Sequence, residues 1–126
     1  MIVADTDVLI DALRGRGAME RVHIELGTGR LATTAITVFE LLGGARDDDE
    51  RARVHVLLAA MVHLPLDAAA AKEAAAIQRE LAAAPIGTAD TLIAGICRSK
   101  KAMLMTRNRK HFSRVEGLHL ATLDER

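Results

Sequence analysis

Ile2-Val3-Ala4-Asp5 is a short apolar run that ends on a carboxylate, and Thr6-Asp7 then opens a helical pattern, Val8-Leu9-Ile10 to Leu13, that stops before Gly15. An apolar run without polar alternation suits a strand buried on both faces. An acid at its end is delivered to the edge of a parallel sheet, where α/β proteins place their chemistry. Two further carboxylates recur in similar settings: Glu40 in Thr37-Val38-Phe39-Glu40-Leu41-Leu42, and Asp90 in Ile86-Gly87-Thr88-Ala89-Asp90-Thr91-Leu92-Ile93. Each sits among apolar neighbours in the expected first turn of a helix, and three acids directed at one place point to a divalent metal site.

Working outward, the pattern predicts a strand at residues 2–5, a helix to Leu13, and a second helix over 18–26 that stops before Gly27-Thr28-Gly29. A short strand follows at 30–33. Thr37 is the expected N-cap of a helix running through Glu40 to Gly43-Gly44, and Asp47-Asp48-Asp49 starts another that carries Val54, Leu57, Leu58 and Met61. Residues 62–66 read as a third strand. Asp67 caps an Ala-rich helix that Pro85 ends, Thr88 caps the helix bearing Asp90, and 102–106 is a fourth strand. After a turn or short helix around 107–114, residues 118–121 close as a fifth. Alternating strands and helices with no linker or repeat predict one α/β domain over 1–126, with a central, mostly parallel five-stranded sheet covered on both faces.

Length and composition narrow the function classes. At 126 residues there is room for one core but not for two domains. Seventeen Lys and Arg balance seventeen Asp and Glu, so any affinity for nucleic acid has to be local. With Phe39 and Phe112 the only aromatics, stacking on unpaired bases is not a main binding device. The single cysteine, Cys97, excludes an internal disulfide framework and sits in Leu92-Ile93-Ala94-Gly95-Ile96-Cys97 as a small core residue. No signal-peptide pattern and no long uninterrupted apolar stretch is present, which leads to the expectation of a cytoplasmic chain without a membrane role.

The predicted order allows a geometric check of the metal site. Asp5 and Thr106 finish strands at their carboxyl ends, Glu40 opens the helix after the second strand, and the helix bearing Asp90 runs antiparallel into the fourth. All four residues therefore converge on one rim. Competing readings exist for each acid. Thr37-x-x-Glu40 is a capping-box spacing, and Asp90 is also where a helix dipole favours an acid, by about 0.3–1 kcal/mol. Asp5 resists such a reading, because a carboxylate at a buried edge needs compensation. Mg²⁺ or Mn²⁺ is the natural compensator for an all-oxygen set, whereas His23, His55, His63, His111 and His119 show no zinc-ligand spacing with each other or with Cys97.

Thr106-Arg107-Asn108-Arg109-Lys110-His111 leaves the fourth strand at the same rim, with Arg98, Lys100 and Lys101 just upstream. A charge run is commonly a solvated face. Beside an acidic metal centre, Arg107, Arg109 and Lys110 read instead as phosphate-binding cations that draw a polyanion into a pocket that otherwise repels it.

Taken together, Asp5-Thr6 after an apolar strand, Thr37-x-x-Glu40-Leu41, Ile86-Gly87-x-x-Asp90-x-Leu92-Ile93-Ala94 and Leu104-Met105-Thr106-Arg107-Asn108 resemble the four signature blocks of PIN-domain nucleases, in order and over the whole chain. Within that family they look most like the VapC-type ribonuclease toxins of type II toxin–antitoxin systems. The resemblance implies a three-layer α/β/α fold, a Mg²⁺- or Mn²⁺-dependent endoribonuclease, a homodimer, and inhibition by a VapB-like antitoxin. It assigns the family's acids to Asp5, Glu40 and Asp90. One departure stands out: His111 precedes Phe112 where many members carry an acid, which leaves a second metal position open, with Asp7 or Asp124 as substitutes.

The mechanism expected on this basis is metal-assisted hydrolysis of an RNA phosphodiester. Asp5 and Asp90 hold the metal, Glu40 is a ligand or accepts a proton from the activated water, Thr106 and Asn108 orient water or phosphate, and Arg107, Arg109 and Lys110 position the strand. Three rivals compete. A haloacid-dehalogenase-like phosphatase reads Asp5-Thr6-Asp7 as nucleophile and acid, but Leu9 departs from its motif and no cap domain fits. A receiver-type signalling module would use Asp67 as phosphoacceptor, yet lacks a lysine after the fifth strand. A catalytically weak RNA-binding relative is motivated by His111.

Overall fold

The computed structural model describes residues 1–123. Asp124 lies outside them. The described chain runs β1 (Ile2–Ala4), α1 (Thr6–Leu13), α2 (Met19–Thr28), β2 (Leu31–Thr34), α3 (Ala35–Gly44), α4 (Asp48–Ala59), β3 (Val62–Leu64), α5 (Ala68–Glu80), α6 (Thr88–Lys100), β4 (Met103–Met105) and α7 (Arg109–Phe112).

The strands form one parallel sheet in the order β3-β2-β1-β4, with Ile2 opposite Leu31 on one side and opposite Met103 on the other. Because β2 and β4 flank β1 on opposite sides, the direction of winding reverses at β1, and the crevice between the carboxyl ends of β1 and β4 is the switch point of the sheet. Side-chain alternation along each strand feeds two cores. Val3, Ala32 and Leu104 pack beneath α5 and α6 with Ile77, Ile93, Ile96 and Phe112. Ile2, Ala4, Leu31 and Met105 pack on the other face with Val8, Leu9, Val22, Val54 and Leu58. The result is a three-layer α/β/α arrangement, as a sheet of continuously apolar strands requires.

Several sequence expectations are corrected. Among the described residues four strands form, not five: Leu120 makes a single parallel bridge to Leu104, through Leu104 N–H to the His119 carbonyl at 2.9 Å and Ala121 N–H to the Leu104 carbonyl at 2.8 Å. With β4 only three residues long, pairing does not extend past that bridge. The cap of α3 is Thr34, whose hydroxyl accepts from Thr37 N–H, so the expected Thr37 cap and its capping box with Glu40 do not form. Gly87, not Thr88, caps α6, with φ of 99°, a left-handed backbone suited to glycine. Helix α2 runs on to Thr28 and ends on Gly29, and the Ala-rich helix ends at Glu80, before Pro85 is reached. Asp47 and Asp67 cap α4 and α5 as expected.

Helix α6, which carries Asp90, is fixed by close approach. A Cβ at Gly95 would lie 2.7 Å from the Ala74 backbone, so the α5–α6 seam depends on glycine there. Cys97, on the same helix, is fully buried, and burial pushes its thiol up to about 12, in keeping with an inert core residue.

Candidate active site

Asp5 stands one residue beyond β1, its N–H donating to the Met105 carbonyl at 2.9 Å, and it is 5 % exposed. Its Oδ1 accepts from Thr6 N–H at 2.8 Å and its Oδ2 from Thr106 Oγ1 at 2.7 Å. Thr106 follows β4, so the two strand ends on either side of the switch point are joined through this carboxylate. Burial is the largest influence on Asp5 and raises its pKa to about 6; the Thr106 and Thr6 hydrogen bonds oppose the rise, while Asp7 and Asp90 add to it.

From Thr106 the network continues to Asp90. Thr106 Oγ1 accepts from Asn108 N–H at 2.9 Å, and Asn108 Nδ2 donates to Asp90 Oδ2 at 3.3 Å. Asp90 lies in the first turn of α6, which runs antiparallel to β4 and so begins at the carboxyl rim. Phe112, completely buried, anchors α7 and holds the Asn108–His111 segment against Asp90. His111 Nδ1 lies 2.9 Å from Asn108 Nδ2 and 3.5 Å from Asp90 Oδ2.

On the other side the network reaches Glu40. Its Oε1 accepts from Thr6 Oγ1 at 2.6 Å, and the Thr6 and Thr37 hydroxyls are 3.1 Å apart. Glu40 is therefore held by a residue of α1, not by the cap of its own helix. Glu40, Thr6, Asp5, Thr106, Asn108 and Asp90 form one continuous hydrogen-bonded line across the rim. The convergence expected of Asp5, Glu40, Asp90 and Thr106 holds at this level.

The arrangement is not a ready-made cage. Among the described residues no group of three or more His, Cys, Asp or Glu side chains is close enough to surround an ion. An oxygen-preferring cation does not need one, since Mg²⁺ commonly binds through one or two carboxylates and keeps its waters. The donor set fits such an ion on two structural grounds. Asp5 is buried as an acid whose two hydrogen bonds do not offset its desolvation. Asp7 Oδ1 is a buried oxygen with no hydrogen-bond partner. Burial also raises the pKa of Asp7, against the pull of Arg107.

The basic run divides in a way its sequence does not display. Arg107 turns back to α1, with Nε 3.1 Å from the buried Asp11 and 4.0 Å from Asp7. Arg109 donates to the Ala121 carbonyl at 2.9 Å, while Lys110 is exposed. Arg98 is clamped by Glu73 at 2.9 Å and Glu80 at 3.1 Å, and Lys100 by Asp67 at 3.1 Å. Both lie about 12–15 Å from Asp90 along the helix axis. They are structural pairs, not rim cations. Asp67, the acid a receiver module would phosphorylate, is engaged by Lys100 and by Ala70 N–H.

Sequence reasoning missed a different set of cations. Arg14, Arg46 and Arg53 line an open pocket with Glu40, over an apolar floor of Ile10, Leu13, Leu41 and Val54. Arg14 ends α1, Arg46 precedes α4 and Arg53 lies within it, so the only available signal was that two of them flank helices and the third lies in the second turn of one. Among the described residues no helix is long and apolar enough to cross a membrane.

Comparison with known proteins agrees with this geometry. The chain is 32% identical over 120 residues to the tRNA(fMet)-specific endonuclease VapC of Shigella flexneri, covering 90% of this chain and 91% of that one. Its fold is similar to that in the crystal structure of VapBC2 from Rickettsia felis bound to a promoter DNA fragment, with a TM-score of 0.86 at 22% identity over 96% of this chain and 98% of that one. It is similar also to VapBC-1 from nontypeable Haemophilus influenzae, with a TM-score of 0.83 at 28% identity and 98% of each chain covered. The model of the PIN domain matches residues 2–118, and the chain belongs to the PIN-domain family.

Proposed function

We propose that this chain is a divalent-metal-dependent endoribonuclease and the toxin of a toxin–antitoxin pair. The observation that carries the reading is the hydrogen-bonded line from Glu40 through Asp5 to Asp90 at the switch point of the sheet. It brings three acids from α3, β1 and α6 to one rim in a chain of the PIN family.

Asp5 and Asp90 are the residues that would hold Mg²⁺ or Mn²⁺. Such an ion supplies charge neutralisation on a phosphodiester and lowers the pKa of the attacking water. Thr106 keeps Asp5 oriented and partly offsets its burial, and Asn108 Nδ2 donates to Asp90 and orients it. Glu40 commits Oε1 to Thr6, which leaves Oε2 to accept a proton from water at the rim. Arg14, Arg46 and Arg53 provide the phosphate contacts beside Glu40, with Lys110 as the exposed cation of the other flank. Arg107 serves the rim indirectly, by tying the segment after β4 to α1.

The relatives are named for tRNA(fMet) and the solved neighbours are VapBC complexes. Initiator tRNA is accordingly the first substrate to assay, and a small VapB-like protein the partner to seek. A homodimer belongs to the same proposal: Phe39, next to Glu40 on α3, is 76% exposed and offers apolar surface for assembly. Purified chain should cut tRNA with Mg²⁺ or Mn²⁺, stop with EDTA and be inactive as Asp5→Asn. Cutting that persists in a folded Asp5→Asn protein, or in chelator, overturns the reading. RNA binding without metal-dependent cutting would favour a non-catalytic RNA-binding role.

A further inference from the structure

We propose that Asp11 is a positioning residue for the rim: through its ion pair with Arg107 it fixes the segment that presents Thr106 to Asp5 and Asn108 to Asp90. The inference rests on the proposed ribonuclease reading and adds to it a residue that does not belong to the line of acids.

The segment needs an anchor. Pairing of β4 with β1 ends at Met105 opposite Ala4, so residues 106–108 have left the sheet. Their side chains then take three directions. Thr106 stays at the sheet edge with Asp5, Asn108 reaches Asp90 on α6, and Arg107 reaches α1 in the opposite helical layer. Arg107 and Asn108 thus hold one short stretch of backbone between two layers, and a shift at one is passed to the other.

Asp11 is the firm end of the Arg107 contact. It lies one helical turn after Asp7 on the same face of α1, and the guanidinium spans both. Arg107 Nε is 3.1 Å from Asp11 Oδ2 and 4.0 Å from Asp7 Oδ2, and Nη2 donates to the Asp7 carbonyl at 3.4 Å. The Asp11 carboxylate is 2 % exposed and accepts from Ala18 N–H at 3.2 Å. The turn after α1 closes over it: a Cβ at Gly17, where φ is 55°, would lie 2.6 Å from Asp11 Cγ. An amide oxygen would serve Ala18 N–H as well. What the carboxylate adds is a countercharge for the guanidinium, and the pair offsets the desolvation of so deeply buried an acid.

Two other roles predict different behaviour. If Asp11 only staples the α1–α2 turn, its charge has no bearing on Asn108. If Arg107 is a phosphate contact, Asp11 competes with RNA for it, and removing the acid should tighten RNA binding.

Asp11→Asn keeps an acceptor for Ala18 N–H and removes the charge. Arg107→Gln, at a half-exposed position, removes the other partner and leaves the turn intact. With initiator tRNA and Mg²⁺, rates being referred to folded protein, each variant should lower kcat by about tenfold and leave KM within about twofold. The double variant should lose no more than the worse single, because the two residues act as one unit. In the metal-free full chain, the nuclear magnetic resonance signals of the Asn108 side-chain amide, which report its bond to Asp90, should shift in all three variants. Asn108 signals that stay in place in folded Asp11→Asn and Arg107→Gln overturn the positioning role, whatever the rates. A raised KM in Arg107→Gln together with tighter tRNA binding by Asp11→Asn makes Arg107 a phosphate contact and overturns it too. The amide signals need neither metal nor RNA, so a wild type that cuts no RNA defeats the ribonuclease reading while those signals still decide the role of Asp11.

Discussion

Thr106 Oγ1 donates a 2.7 Å hydrogen bond to Asp5 Oδ2 across 101 positions of sequence, joining the ends of β4 and β1 at the point where the sheet reverses its winding. The bond is buried and its acceptor is an acid that burial drives towards protonation. Thr106→Val keeps the shape and removes the donor. At pH 8, where Asp5 is ionised, the variant should lose about 1.5–3 kcal/mol of stability, the usual worth of a hydrogen bond to a charged group. At pH 5 the loss should be smaller, because Asp5 is then largely protonated. Urea unfolding at the two pH values checks the difference, and an equal loss at both would detach Thr106 from the charge on Asp5.

Asp5 also gives the metal-free protein a distinct pH dependence. Its pKa is about 6 in the folded chain against an ordinary 3.8, so between those values the folded state binds the proton that the unfolded state has lost. Stability therefore falls as pH rises through this window, by about 3 kcal/mol from this group if the full shift is expressed. Asp7 is shifted in the same direction by its own burial. Asp5→Asn removes the main contribution. The stability difference between variant and wild type, followed from pH 4 to 8 in EDTA, should grow in favour of the variant up to about pH 6 and then level off. A flat difference would mean that Asp5 is better solvated than its 5 % exposure implies.

Much of this site was legible before any fold was known, and the reason is topological. Once Ile2-Val3-Ala4 and Met103-Leu104-Met105 are strands of one parallel sheet, Asp5 and Thr106 must share an edge. Antiparallel travel of α6 then brings Asp90 to meet them. Which hydrogen bonds each side chain makes was not legible, because caps and pairs are decided by one-residue shifts. Moving the α3 cap from Thr37 to Thr34 freed Glu40 to meet Thr6. The ion pairs of the basic residues were hidden for a related reason: proximity in sequence says nothing of the acids that wait in space, and Asp11, Glu73, Glu80 and Asp67 pair with Arg107, Arg98 and Lys100. The fifth strand is reduced to a single bridge, because Leu104 is the one residue of the three-residue β4 that pairs with it.

Asp90 separates a metal ligand from a residue that merely favours a helix start. As a ligand, its loss should leave metal-free stability unchanged or higher, since an acid near Asp5 is removed. Saturating Mg²⁺ should stabilise wild type by about 2.7 kcal/mol at a hundred times the dissociation constant and stabilise Asp90→Asn much less. As a helix-dipole residue alone, Asp90→Asn should cost a few tenths of a kcal/mol, at the low end of the roughly 0.3–1 kcal/mol range, and keep the full metal response. Thermal melts of both proteins, with and without Mg²⁺, distinguish the two. An undiminished shift in the variant removes Asp90 from the ion's coordination.

The arginines beside Glu40 can be told apart from those of the basic run by the salt dependence of RNA binding. Among the described residues Arg46 pairs with Glu50 alone, at 3.2 Å on the surface, and such exposed pairs hold a cation weakly, so its charge remains available to phosphate. Arg14 lines the same pocket. Each phosphate contact to a single strand contributes about 0.7 to the slope of log affinity against log salt, so the double variant Arg14→Ala, Arg46→Ala should lower the slope by about 1.4. Turnover at saturating RNA should change far less than affinity, because neither residue belongs to the line from Glu40 to Asp90. Lys100→Ala, which removes a cation committed to Asp67, should leave the slope as it is. The reverse pattern, a slope that responds to Lys100 and not to the arginines, would place the RNA path on the α5–α6 side of the molecule and away from the pocket at Glu40.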